Sequence, residues 1–229
     1  MPYRVEVLVP CFKRPEYTKK CIQFLEVAQE YPDALFHLCD DGSKDATESI
    51  LKKARLDKRV WVNDENMGLR NVLINFLEIS ASSTEFLCVV GNDCLMPPLW
   101  MKDMLSVFEK NPEVDILSPD VFPSHAALRM GEEDKEGNGY MRSSSVGGLW
   151  FMKRKLIEGM SFERYDSSLG IRGAFEVLNQ IILNKEPVIG WVPRVVVEDM
   201  GHWSGAHPLC IKSSQHKDYY AKIGRRISW

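Results

Sequence analysis

Val5-Glu6-Val7-Leu8-Val9-Pro10 runs directly into Cys11-Phe12-Lys13-Arg14-Pro15, and Leu35-Phe36-His37-Leu38-Cys39 runs into Asp40-Asp41-Gly42-Ser43-Lys44-Asp45. Each is a short, β-rich apolar run that stops at turn residues and gives way to a helical pattern. Together they read as a β-α-β unit. In open α/β sheets, ligands bind outside the carboxyl ends of the strands. Two polar clusters at two such ends outline a site, and the second cluster carries carboxylates.

The alternation continues outward from this unit. Pro15 suits the first turn of a helix, and Tyr17, Cys21, Phe24, Leu25 and Ala28 recur on one face of residues 16–30. Ser43 or Asp45 caps a second helix expected to reach about Leu56. Arg59–Val62 is a short strand, and Asn66-Met67-Gly68 turns into a helix that buries Val72, Leu73, Phe76 and Leu77. Glu85–Val90 is a strand ending at Gly91-Asn92-Asp93, Pro97-Pro98 opens a helix through Lys110, and Asp115–Leu117 starts another strand. This is an α/β, doubly wound layout. Residues 122–142, rich in glycine and charge, read as a solvated loop. Residues 173–184 look helical, and 187–197 extended.

The composition narrows the class. At 229 residues with 45% hydrophobic content, the chain is long enough for a real core, and the expectation is one domain. Its halves would be about 1–120 and 121–229. A net charge of -3 gives no global field toward nucleic acid or an anionic membrane. The six cysteines, at 11, 21, 39, 88, 94 and 210, form no C-x-x-C pair and mostly sit in apolar runs. Buried free thiols in a reducing compartment are expected, not a disulfide framework. Met1-Pro2-Tyr3-Arg4 leads straight into a strand, so no signal peptide is expected, and no apolar run spans a bilayer. The expected location is cytoplasmic, with work at a membrane surface left open.

The motifs, taken in order, resemble a known family. Val-Leu-Val-Pro-x-Phe-Lys-Arg-Pro, Cys-Asp-Asp-Gly-Ser-x-Asp-x-Thr, Asn-x-Gly-x-x-x-Asn and Phe-Leu-x-x-x-Asn-Asp-x-x-x-x-Pro look like the nucleotide-sugar half of family 2 glycosyltransferases. The resemblance is close over about 3–110 and looser over 140–205. It implies a GT-A fold, Rossmann-like, with a mixed central sheet flanked by helices. It also implies a nucleoside-diphosphate sugar donor, UDP- or GDP-linked, and a saccharide or lipid-linked acceptor. A divalent metal, Mn2+ or Mg2+, held by carboxylates would neutralise the leaving diphosphate.

The resemblance also suggests roles for residues. Pro10 and Phe12 lie against the nucleobase, and Asp41 accepts hydrogen bonds from it with Asp40 nearby. The plain alternative for Asp40-Asp41-Gly42-Ser43 is a turn with a helix cap. Arg14 either faces the phosphates or is a solvated helix-start residue. Arg70 opposes the dipole of the helix it opens, so its partner is anionic: Asp93, Asp41 or the donor. Asn92 contacts ribose or sugar, and Asp93 is the metal ligand where the family usually has an acidic D-x-D cluster. His202, in Glu198-Asp199-Met200-Gly201-His202-Trp203, is a candidate metal or phosphate contact, with Asp199 orienting it. Glu176 is the candidate base for an inverting transfer, with Asp166 behind it. Trp150 stacks on a sugar ring or fills the core.

Rival classes differ by single features. Pro10-Cys11-Phe12-Lys13-Arg14 contains no glycine, which counts against a nucleotidyltransferase phosphate loop, and no G-x-G-x-x-G supports a dehydrogenase. A degenerate binding module is supported only by Gly91-Asn92. Lys217, Lys222, Arg225 and Arg226 interleaved with Tyr219, Tyr220 and Trp229 leave a nucleic-acid acceptor as a lesser alternative.

Overall fold

The computed structural model describes residues 3–28, 33–122, 137–143, 146, 149–164 and 171–200. Most of the expected loop 122–142, Gly147 and Gly148, Asp166, His202, His207 and the basic tail lie outside the described residues.

The described residues form a nine-stranded mixed sheet flanked by helices. The elements are β1 (Val5–Cys11), α1 (Pro15–Ala28), β2 (Ala34–Asp40), α2 (Thr47–Lys53), β3 (Lys58–Val62), α3 (Gly68–Ile79), β4 (Phe86–Val89) and β5 (Cys94–Leu95). They continue with α4 (Trp100–Lys110), β6 (Val114–Phe122), β7 (Met141–Ser143), β8 (Trp150–Lys153), α5 (Ile171–Lys185) and β9 (Val188–Asp199). The strand order is β3-β2-β1-β4-β8-β6-β9-β5, with β7 on β9. β3, β2, β1 and β4 are parallel, and β8 runs antiparallel between β4 and β6.

The period-2 pattern of β1 decides which helices go where. Val5, Val7 and Val9 join a core with Cys21, Ile22 and Leu25 of α1, Leu51 of α2 and Met104 and Leu105 of α4. Leu8 faces the other way, into a core with Leu73 and Phe76 of α3 and Val177 and Ile181 of α5. Both faces of the parallel strands are therefore covered, as such strands require.

The second face also buries a polar pair. Glu6 Oε2 and His37 Nε2 are 2.6 Å apart, and both side chains are at most 1% exposed. Glu6 Oε1 further accepts from Ala81 N and Thr84 Oγ1 at 2.8 and 2.6 Å, which anchors the turn between α3 and β4.

One expected boundary needs correction. α2 stops at Lys53 and not near Leu56, because Ala54 already takes an extended backbone (φ -55, ψ 140). The following residues then turn into the sheet, where Asp57 O accepts from Phe36 N. The extended run expected over 187–197 is the continuous strand β9, whose pairing with β6 slips by several residues between Val192 opposite Pro119 and Val196 opposite Asp120. Pro119 and Pro193 have no N–H to give the ladder, so the register shifts there.

β1 is the strand at which the order reverses: β2 and β3 lie to one side and β4 to the other. This is the switch point whose crevice binds ligands in open α/β sheets. The polar ends of β1, β2 and β4 all open at it.

Candidate functional site

Asp41 sits at the hub of three loops. Its backbone N donates to Cys11 O at 2.8 Å, tying the end of β2 to the end of β1. Its carboxylate Oδ1 accepts from Asn63 Nδ2 at 2.9 Å and Met67 N at 2.8 Å, and Oδ2 accepts from Gly68 N at 2.9 Å. Asp41 thus caps α3 across space, where helix amides lack partners and negative charge is favoured. These three bonds leave about one of its four lone-pair sites open. Asp40 Oδ1 accepts from Ser43 N at 2.9 Å. The turn-and-cap alternative is therefore realised by both acids, with α3 rather than α2 as the helix that Asp41 caps. The first amide of α2, Thr47 N, donates to Asp45 Oδ1 at 2.8 Å, while the cap position itself is held by Ala46, which has no side-chain bond to give. Gly42 (φ +72) allows the close approach of these loops, since a Cβ there would lie 2.5 Å from the Glu65 carbonyl carbon.

Pro10 and Phe12 occupy the end of β1 and the residue beyond it, both half-buried. Lys13 and Arg14 follow with φ of 58 and 59, a left-handed conformation unusual for two consecutive non-glycine residues. Such residues cost about 1 kcal/mol or more each and persist where the surroundings over-determine them. The restraints are visible here. Lys13 N donates to Ser43 Oγ at 2.8 Å, and its Nζ bonds Ser43 O. Arg14 O accepts from Tyr17 N and Thr18 N, opening α1.

Arg14 then reaches across the switch point. Its Nη1 lies 2.9 Å from Asp93 Oδ2, and its Nη2 lies 3.4 Å from Asn92 Oδ1. Its guanidinium also stands over the Tyr17 ring at 5.6 Å. Asn92, 4% exposed, donates from Nδ2 to Thr18 Oγ1 at 2.9 Å, so its amide is fixed from both ends. Gly91 makes room for Asp93, because a Cβ there would lie 2.7 Å from Asp93 Oδ1. Asp93 O accepts from Met200 N at 2.9 Å, and Cys94 pairs with Asp199. The end of β9 is thereby brought beside the end of β4.

Arg70 has an anionic partner that the sequence does not single out. Its Nη1 lies 3.0 Å from Glu176 Oε2, and its Nε and Nη2 donate to Glu163 O at 3.2 and 2.8 Å. The expected partners Asp41 and Asp93 are engaged elsewhere. α3 packs on α5, and this is what puts the first turn of α3 beside Glu176. Arg70 is 8% exposed at its side chain and Glu176 46%, so the arginine is the buried member and the carboxylate the accessible one.

Trp150 is 4% exposed and packs in the core shared by α3 and α5, opposite Val89. This is the core-filling alternative: the first residue of β8 points onto the covered face of the sheet. Cys11, Cys21, Cys39, Cys88 and Cys94 are free and buried. Burial pushes their thiols up, with Asp93 adding to the effect at Cys21 and Cys94. They are protonated packing groups, not nucleophiles.

The donor set at Asp93 is a poor fit for a divalent ion. Among the described residues no group of three His, Cys, Asp or Glu side chains could hold one, and Asp93 Oδ2 already faces a guanidinium. No helix among the described residues is long and apolar enough to cross a membrane.

Thr18, Lys13, Asn63 and the Glu163 carbonyl belong to this site and were not singled out in the sequence. Asn63 had a signal, as the polar residue that ends β3 at the same sheet edge. Glu163 had none, because it contributes through its backbone.

The profile of the family described as Glycosyl transferase family 2 matches residues 6–175. No functionally curated protein matches by sequence. Among solved structures, S. aureus TarS 1-349 superposes with a TM-score of 0.67 at 16% identity, over 86% of this chain and 60% of that one. The mannosyltransferase PcManGT from Pyrobaculum calidifontis, in complex with GDP-Man and Mn2+, superposes with a TM-score of 0.67 at 19% identity. That match covers 100% of this chain and 66% of PcManGT, so the chain spans under two thirds of either neighbour. GalNAc-T7 with UDP, GalNAc and Mn2+ follows with a TM-score of 0.61 at 15% identity, over 96% of this chain and 48% of that one. The order of strands, the polar ends at the switch point and the family match agree: the chain has the GT-A fold and belongs to glycosyl transferase family 2.

Proposed function

We propose that the chain moves a sugar from a UDP- or GDP-linked donor to a hydroxyl of a saccharide, free or lipid-linked, with inversion at the anomeric carbon. The observation that carries this reading is the meeting of Arg14 and Asp93 across the switch point between β1 and β4. Support also comes from similar structures that hold UDP, UDP-GlcNAc and GDP-Man.

In this reading Pro10 and Phe12 flank the nucleobase, and the open lone pair of Asp41 accepts a base N–H. Asp40 shapes the turn that holds Asp41. Asn92 and Asp93 face the ribose and the sugar, and Arg14 faces the diphosphate. Glu176 takes the proton of the acceptor hydroxyl as its oxygen attacks the anomeric carbon. The bond from that carbon to the diphosphate oxygen breaks, and the nucleoside diphosphate leaves with the electron pair. Arg70 holds the Glu176 carboxylate in place. A divalent ion, where bound, would neutralise the leaving diphosphate. The proposed ligands are Asp93 and His202. No step is routed through the ion, given the pairing of Asp93.

The test is phosphorus NMR of nucleoside-diphosphate release from a panel of sugar nucleotides, each mixed with pooled saccharide acceptors. Glu176→Gln is expected to lower turnover by about 10²–10⁴, the usual worth of a positioned base, with nucleotide affinity retained. Nucleotide binding without any transfer would instead identify a binding module.

A further inference from the structure

The cation that faces the diphosphate site is already part of the chain. Arg14 is fixed by a strained backbone, by the Tyr17 ring, by Asn92 and by Asp93. Its Nε is buried and, among the described residues, has no hydrogen-bond partner. The guanidinium sits at the opening of α1, whose N-terminus adds partial positive charge. A fixed cation at a helix N-terminus disfavours a second cation and favours an anion. Asp93 meanwhile spends its charge on Arg14. A divalent ion on Asp93, at its usual short oxygen distance, would lie within about 5 Å of the guanidinium and be repelled by it.

We propose that Arg14 is the resident counter-charge for the donor diphosphate. Asp93 is its electrostatic brake, and a divalent ion competes with Arg14 for Asp93 without being required for nucleotide binding. This inference rests on the nucleoside-diphosphate site proposed above. When the diphosphate enters, Arg14 exchanges Asp93 for phosphate oxygens, with no change of covalent bonding. Arginine suits this because its planar fork matches phosphate as well as carboxylate geometry.

The two accounts predict opposite signs for one substitution. If Asp93 served mainly as a metal ligand, Asp93→Asn would weaken nucleotide binding. If Asp93 restrains Arg14, Asp93→Asn frees the guanidinium and tightens it.

The experiment is calorimetric titration of the full chain with UDP, GDP, CDP and dTDP, each with EDTA or with Mn2+. Wild type is expected to bind one nucleotide with affinities that agree within about threefold in the two conditions. Asp93→Asn is expected to bind it about tenfold more tightly in EDTA. Arg14→Gln is expected to bind it weakly in EDTA and to regain affinity with Mn2+, now that Asp93 is unpaired. Melting curves report whether each variant is folded, and the Asp93→Asn arm stands alone if Arg14→Gln is not. A nucleotide that binds only with Mn2+ and is weakened by Asp93→Asn overturns this inference and leaves the donor site standing. No binding of any nucleotide in either condition overturns both.

Discussion

Asp41 concentrates the most structure in one side chain. Three donors from the turn between β3 and α3 converge on it: Asn63 Nδ2, Met67 N and Gly68 N. Hydrogen bonds to an ionised group contribute more than neutral ones, and their loss strands buried donors. Asp41→Ala is therefore expected to destabilise the fold by about 3 kcal/mol in urea denaturation, and to loosen the first turn of α3. A loss below about 0.5 kcal/mol would mean the loops hold themselves. At this scale the sequence was half legible. Asp40-Asp41 at a strand end identifies the place, and the turn chemistry of Asp40, Gly42 and Ser43 follows from their types. The α3 amides could not be paired with Asp41 from spacing, because Met67 is 26 positions away and arrives through the fold. The same applies to Arg14 and Asp93, 79 positions apart.

Between elements, the Arg70 contact carries the most consequence. It joins α3 to α5 and to the backbone of the segment that precedes α5. Truncating the buried arginine removes two hydrogen bonds to the Glu163 carbonyl and the Glu176 ion pair, whereas truncating the half-exposed glutamate removes one contact at an accessible carboxylate. Arg70→Met should raise amide exchange in α5 while leaving α1 unchanged, and Glu176→Gln should alter neither. Equal exchange in α5 of the wild type and Arg70→Met would show that apolar packing alone holds α5. The dipole argument demanded an anion for Arg70 and named Asp41, Asp93 or the donor, not Glu176. Glu176, 106 positions on, was assigned a role of its own, and nothing local links the two. Long strands and amphipathic helices were legible from their periods. β5 and β7, of two and three residues, are too short to show any alternation. They exist because β9 offers them an edge.

For the molecule as a whole, the two covered faces of the sheet determine stability, and one of them contains the Glu6–His37 pair. Burial alone would raise the Glu6 carboxyl. Hydrogen bonds from His37, Thr84 and Ala81 outweigh burial and hold it below its ordinary value of 4.5. A carboxyl depressed in the folded state adds stability that is fully present above the unfolded value and is lost as pH falls through the folded one. Melting temperature should therefore drop as pH is lowered below 4.5. Glu6→Gln should flatten that drop from a lower starting point. An unchanged acid slope in Glu6→Gln would assign the acid sensitivity to other carboxylates. Glu6 and Asp40, the acids of the first two strands, were both visible in the sequence, but only the pair Asp40-Asp41 drew a reading. Glu6 looked like a polar interruption of an apolar run. Its partner His37 interrupts the next run in the same way, and two such interruptions on neighbouring strands are the signal that one buried pair leaves.

The most direct test of the account is a crystal structure of the chain with the nucleoside diphosphate that binds it. The predicted result is a diphosphate in the crevice between the ends of β1 and β4, within hydrogen-bond reach of Arg14, with the base against Phe12 and the Asp41 loop. A nucleotide bound at any other edge of the sheet, with Arg14 still on Asp93, would contradict it.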